Sequence, residues 1–266
     1  MTKDFFFSLS ALAAIAPLSL IFLRRAQARD GLYWAFLGLA TLGPLAWVMV
    51  HMSGTWRTDL SMTLWVNVAA TMVMFSALAV LTLQGWRLAP LLAPYMMGVG
   101  VLATIWQQAP HRGLADAAPT GWIEAHIIVS VATYGLLTLA AVSALAAFLQ
   151  ERALKNKRPT SLTHQLPSIA DCELLLVRLL ALCEIVLGLG LATGMATQYG
   201  ETGALLLFDH KTVLTITVFI VIGGLLAVHY RSGVRGRMAA RLVLLSYLLL
   251  TLGYPGVKFV TDVLMA

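Results

Sequence analysis

The chain has 266 residues, 59% of them apolar and 11% charged, with a mean hydropathy of +0.84. A water-soluble domain carries about twice that charged fraction, so most of this surface belongs in lipid. The net charge of +6 does not indicate a nucleic-acid partner, because the basic residues fall in short connections between apolar stretches and not on one shared surface.

In chain order, apolar stretches near the length that crosses a bilayer run at about 5–23, 31–51, 61–83, 88–107, 122–149, 174–197, 212–230 and 239–263. Arg24 and Arg25 follow the first stretch and do not precede it, which is the flank of a membrane span and not of a cleaved signal peptide. None of the stretches alternates as a membrane-barrel strand does, and lipid cannot satisfy open backbone groups. The expectation is an all-α polytopic membrane bundle of about eight transmembrane helices, forming a single integral membrane domain over 1–266. Arg24, Arg25, Arg29, Arg87, Arg152, Lys155, Lys157, Arg158, Arg231, Arg235, Arg237 and Arg241 fall on one side, against Lys3, Arg57, Arg112, Lys211 and Lys258 on the other. This bias puts the basic loops in the cytoplasm of a bacterial inner membrane and both termini outside. The longest connection, about 150–173, reads as a solvated cytoplasmic linker.

Six histidines stand out in a chain with little else that ionises: His51, His111, His126, His164, His210 and His229. His51 ends the second span, His126 lies one turn inside the fifth, and His210 enters the seventh, all on the outer side. His229 follows His210 by nineteen residues, about 28 Å along a helix, which places it near the cytoplasmic surface. An interfacial histidine is at home as a hydrogen-bonded amphipathic side chain, but three on one face point to a shared ligand site. Trp47, Trp56, Trp65, Trp106, Trp122 and Tyr134 gather on the same side, either as a wall for a flat ligand or as an aromatic belt. Glu184 falls midway along the sixth span, where a carboxylate needs a partner, a proton or a function. Asn67 and the Gly188, Gly190 and Gly194 group read as interhelical hydrogen bonding and close packing.

Three segments resemble the cytochrome c assembly superfamily that contains CcsA, CcmC and HemX, most of all its short YpjD/HemX-type branch. They are Ala125-His126-Ile127-Ile128-Val129-Ser130 with Tyr134, then Phe208-Asp209-His210-Lys211-Thr212, and then His229 to Arg237 together with Leu252-Gly253-Tyr254-Pro255-Gly256-Val257. The resemblance extends over about 122–263, with His51 as a family-like histidine in the first half. It implies non-covalent haem b held through histidine at the outer face, with His126 and His51 as axial candidates, His210 as a third outer candidate and His229 as a separate inner ligand or packing residue. It implies that Arg57, Arg112 or Lys211 pairs with haem propionates. Gln198–Asp209 contains no tryptophan where the larger haem chaperones have a Trp-rich loop. The expectation is therefore a non-enzymatic protein that handles or senses haem, with membrane lipid, haem and other cytochrome c maturation or membrane proteins as partners. The rival expectations are a regulatory subunit of haem biosynthesis or of another membrane complex, acting through the basic 150–173 connection, and a transporter coupled through Glu184.

Overall fold

A computed structural model describes residues 2–24, 28–52, 59–108, 121–203, 209–232 and 237–260. Among them the regular structure is helical throughout: α1 (Thr2–Ser19), α2 (Gly31–Met52), α3 (Leu60–Leu81), α4 (Ala89–Ile105), α5 (Gly121–Lys155), the short α6 (Ser161–Gln165), α7 (Ile169–Thr202), α8 (His210–Ser232) and α9 (Arg237–Thr251). A π turn at Leu252–Gly256 continues α9 into α10 (Val257–Phe259). Seven of these helices are long and apolar enough to cross a membrane, and α1 is a shorter apolar helix. Together they match the eight stretches expected from the sequence.

Apolar residues cover these helices on every side, and the lipid-facing side carries large exposed residues at helical spacing, such as Leu182, Ile185 and Leu189 on α7. The opposite faces build one core around Trp65, Phe75, Leu92 and Leu137, all fully buried. The most extensive helix contact is α5 against α7, and α5 is the most buried span while α8 is the least. At 35 and 34 residues, these two helices run to about 50 Å, well past a hydrocarbon layer of about 30 Å. The first helix is part of the bundle, with Ile15 and Leu18 fully buried. Gly43 of α2 lets it close in, since a Cβ there would stand 2.5 Å from the Ala14 methyl.

The basic end is tied by side chains to backbone. Arg24 donates to Asp30 at 2.8 Å, and Asp30 caps α2 by accepting from the Tyr33 N–H at 2.9 Å. The connection from α5 to α7 is continuously exposed over 155–161. Beyond that it is anchored. Thr160 caps α6, Gln150 donates to the carbonyls of Thr163 and Pro167, and Arg87 donates to the carbonyl of Gln165 at 3.1 Å. Buried carbonyls on this strap would otherwise lack partners, which is why a stretch that reads as a loose linker folds back onto the bundle.

Candidate functional site

At the other end of the bundle, a cavity of about 490 Å³ opens between α5, α7, α8, the π turn and α3. That volume lies within the range of about 300–1,000 Å³ common to small-molecule sites. Its walls are largely apolar, with Val131, Leu187, Leu191 and Leu250 among them, and exposed Asp209 and Lys211 stand beside them. Asp209 also opens α8, accepting from the Thr212 N–H at 2.7 Å as an N-cap.

His126, one turn into α5, lines this cavity. Its Nδ1 lies 3.2 Å from the Gly190 carbonyl and 3.2 Å from Thr193 Oγ1. The Thr193 hydroxyl is itself drawn to the Leu189 and Gly190 carbonyls. The carbonyl makes Nδ1 the protonated nitrogen, so the Nε2 lone pair is left for a ligand. Gly194 makes room for the ring. A Cβ there would stand 3.1 Å from His126 Cε1, so a larger residue would push the imidazole back by a few tenths of an ångström. Gly190 and Gly188 face Val129 and Phe219 at a distance where a Cβ would make ordinary van der Waals contact.

The π turn shapes the facing wall. Pro255 has no N–H to continue the α-helical ladder, and the extra residue of the π turn brings Gly253 and Tyr254 onto the cavity. A Cβ on Gly253 would stand 3.3 Å from Leu214 of α8, so this glycine too sits at a close helix contact. The Leu252-Gly253-Tyr254-Pro255-Gly256-Val257 motif is thus a local distortion with a site built on it.

Tyr134 closes the cavity on the α5 side and begins a row of hydroxyls. Tyr247 donates to Tyr134 at 3.2 Å, Tyr134 pairs with Thr251 Oγ1 at 3.1 Å, and Tyr95 hydrogen-bonds to Tyr247. Sequence reading singled out Tyr134 but not Tyr95 or Tyr247. The signal was there, since a phenol inside an apolar span must find a partner.

Among the described side chains, His51, His164 and His229 do not share the cavity with His126. The His51 ring stacks on Trp47 at 3.9 Å, its Nδ1 pairs with the Trp47 carbonyl at 2.9 Å, and its Nε2 lies 3.8 Å from the Asp4 carboxylate. Trp47 donates in turn to Ser8, and Ser8 to Gln107. His51 is therefore part of the α1–α2–α4 contact, and no described residue of α1 or α2 lines the cavity. His210 is the first residue of α8, between cavity-lining Asp209 and Lys211. His229 is a half-buried residue at the opposite end of α8, edge-on to Tyr230. His164 is exposed in α6. His111, Trp56, Arg57, Arg112 and Phe208 lie outside the described residues, as does the 233–236 part of the motif after His229. Glu184 is also apart from the cavity. Its Oε1 occupies the space beside Gly223 of α8, and its Oε2 has no hydrogen-bond partner among the described residues. No group of three or more His, Cys, Asp or Glu forms among the described residues, so the chemistry on offer is one imidazole in a largely apolar pocket.

The chain is 55% identical over its full length, and the relative's, to an "Uncharacterized 28.8 kDa protein in nifR3-like 5'region" of Azospirillum brasilense. It is 27% identical to "Inner membrane protein YpjD" of Escherichia coli K12 over 68% of this chain and 66% of that one. No solved structure matches it. The family model described as "Cytochrome C assembly protein" matches residues 33–265, which adds α2, α3 and α4 to the part where the resemblance was legible. With that match over most of its length, the chain belongs to the cytochrome c assembly protein family.

Proposed function

We propose that this protein binds one non-covalent haem b in the cavity beside α5 and α7, with His126 as an axial ligand, and holds it at the outer face of a bacterial inner membrane. The observation that supports this most is the seating of His126: Nδ1 is engaged by the Gly190 carbonyl, and Nε2 is left open on the wall of a largely apolar cavity. The residues present fit the group. Apolar walls suit the macrocycle, Lys211 offers a cation for a propionate, and α5 and α7 hold the imidazole in one orientation. Bound haem would supply the iron chemistry, while the chain's part is to seat it, orient the ligand and keep lipid and water away. His210, the first residue of α8, stays a further outer ligand of this reading on the family resemblance alone. His229 and His51 stand away from it and serve the bundle.

Sidedness in this reading follows the basic residues, which gather at the end opposite the cavity. The name of the Escherichia coli relative, an inner membrane protein, agrees with the proposed location. The protein is read as a carrier or sensor with no covalent step of its own. Titration of haemin into the purified protein tests the reading: a Soret band that saturates in the wild type and weakens at least tenfold in affinity in His126→Ala is expected. Equal binding by the two proteins overturns the assignment of His126.

A second reading has one observation in its favour. Arg152 and Lys155 on the last turn of α5 and Lys157 and Arg158 just past it are all exposed, a basic patch suited to a partner or to anionic lipid. Neutralising all four while haem binding persists, with loss of a cellular phenotype, favours a regulatory subunit.

A further inference from the structure

Helix α3 carries four buried polar atoms with no hydrogen-bond partner among the described residues: Ser61 Oγ, Trp65 Nε1, Asn67 Nδ2 and Thr71 Oγ1. Hydrocarbon offers no water to such groups, so an open amide inside a span calls for an account. Trp65 has one in packing, stacked with Trp47 at 5.2 Å and set against Gly100. Ser61 and Thr71 carry only small hydroxyls, and Thr71 lies against Gly135 of α5. Asn67 differs from all three because it lines the cavity, while being only 5% exposed.

The cavity's other buried polar groups are already engaged. Tyr134 is committed to Thr251 and Tyr247, and His126 Nδ1 to Gly190. Asn67 Nδ2 is a donor with no acceptor among the described residues. The sequence suggested interhelical hydrogen bonding for Asn67, and the Nδ2 atom makes none among the described residues. Asn67 lines the pocket wall while its donor is turned into the bundle, and rotation of the amide about its last side-chain bond presents that donor to a molecule that brings an acceptor to this point.

We propose that Asn67 is a ligand-recognition residue of this cavity, its Nδ2 donating to a carbonyl or carboxylate oxygen on an otherwise apolar ligand. The inference rests on reading the cavity as a ligand site, and for haem the acceptor is a propionate oxygen.

Asn67→Leu removes the donor with a larger, likewise branched side chain, and Asn67→Asp removes it at similar volume when ionised. Two readouts are taken, the melting temperature without ligand and the dissociation constant for haemin. Without ligand, Asn67→Leu is expected to melt at or above the wild type, because it removes an unpaired polar group. A lower melting temperature means that the amide has a structural partner and overturns the proposal. With haemin, both variants are expected to bind about tenfold more weakly, with the Soret maximum unchanged because His126 is untouched. Unchanged affinity in Asn67→Leu overturns the role of Asn67 and leaves the haem reading standing. If the wild type takes up no haemin, the haem reading falls, and native mass spectrometry of the detergent-purified proteins decides for Asn67. A small molecule retained by the wild type and lost from Asn67→Leu supports the proposal, and the same species on both overturns it.

Discussion

His126 illustrates how one residue's role is set by two glycines on a neighbouring helix. Gly194 leaves space for the ring and Gly190 lends its carbonyl, so a side chain larger than hydrogen at 194 should displace the imidazole. Gly194→Val is expected to weaken haemin binding severalfold and to shift the Soret maximum, a combination that spectroscopic titration reads directly. Lys211 makes a different contribution. If its ammonium meets a propionate, Lys211→Met should raise the haemin dissociation constant a few-fold at low salt, with no change for haem dimethyl ester, whose carboxylates are capped. The sequence was informative about which residue types gather here, since His126, Tyr134, Lys211 and the α7 glycines were all singled out from it. It was silent on their pairing. His51 looked equivalent to His126 by depth, yet its ring is held by Trp47 and faces Asp4, because depth along a helix says nothing about the direction in which a side chain leaves it. Outside the membrane, the Arg24 guanidinium and the Tyr33 N–H hold the Asp30 carboxyl down to about 2, below its ordinary value. This contact supports the start of α2 above about pH 4 and is lost as pH falls toward 2. In a thermal scan across that window, Asp30→Asn should flatten part of the acid dependence.

Among the elements, the π turn at Leu252–Gly256 is the feature on which the cavity's shape most depends. Pro255→Ala restores the N–H that a regular helix needs, and it should draw Gly253 and Tyr254 back into α-helical register. Circular dichroism is expected to be unchanged while haemin affinity falls, and an unaltered affinity would show that the turn does not shape the site. The eight spans were legible because apolar length alone specifies a membrane helix. The π turn was not, since a proline in an apolar helix signals a break without saying which way the chain is re-routed. The strap before α7 was missed for a related reason: Thr160, Gln150 and Arg87 act through backbone carbonyls that composition does not reveal. At the opposite edge, Gly43→Leu should push α1 off α2 and lower the melting temperature by several degrees. Haemin affinity should hold, because α1 is no part of the cavity.

For the whole molecule, the cavity and the basic end lie at opposite ends of one bundle, and the account needs them on opposite sides of the membrane. Alkaline phosphatase fused after Val260 is expected to be active and after Arg158 inactive, and the reverse pattern would turn the proposed orientation over. The central claim is that the cavity beside α5 and α7 holds haem through His126. Its most direct test is the absorption spectrum, with pyridine haemochrome quantification, of the protein purified in mild detergent from haem-replete cells. A Soret band with one b-type haem per chain is expected in the wild type, with its loss in His126→Ala. A wild-type protein that emerges without haem, or a His126→Ala variant that retains a full complement, contradicts it.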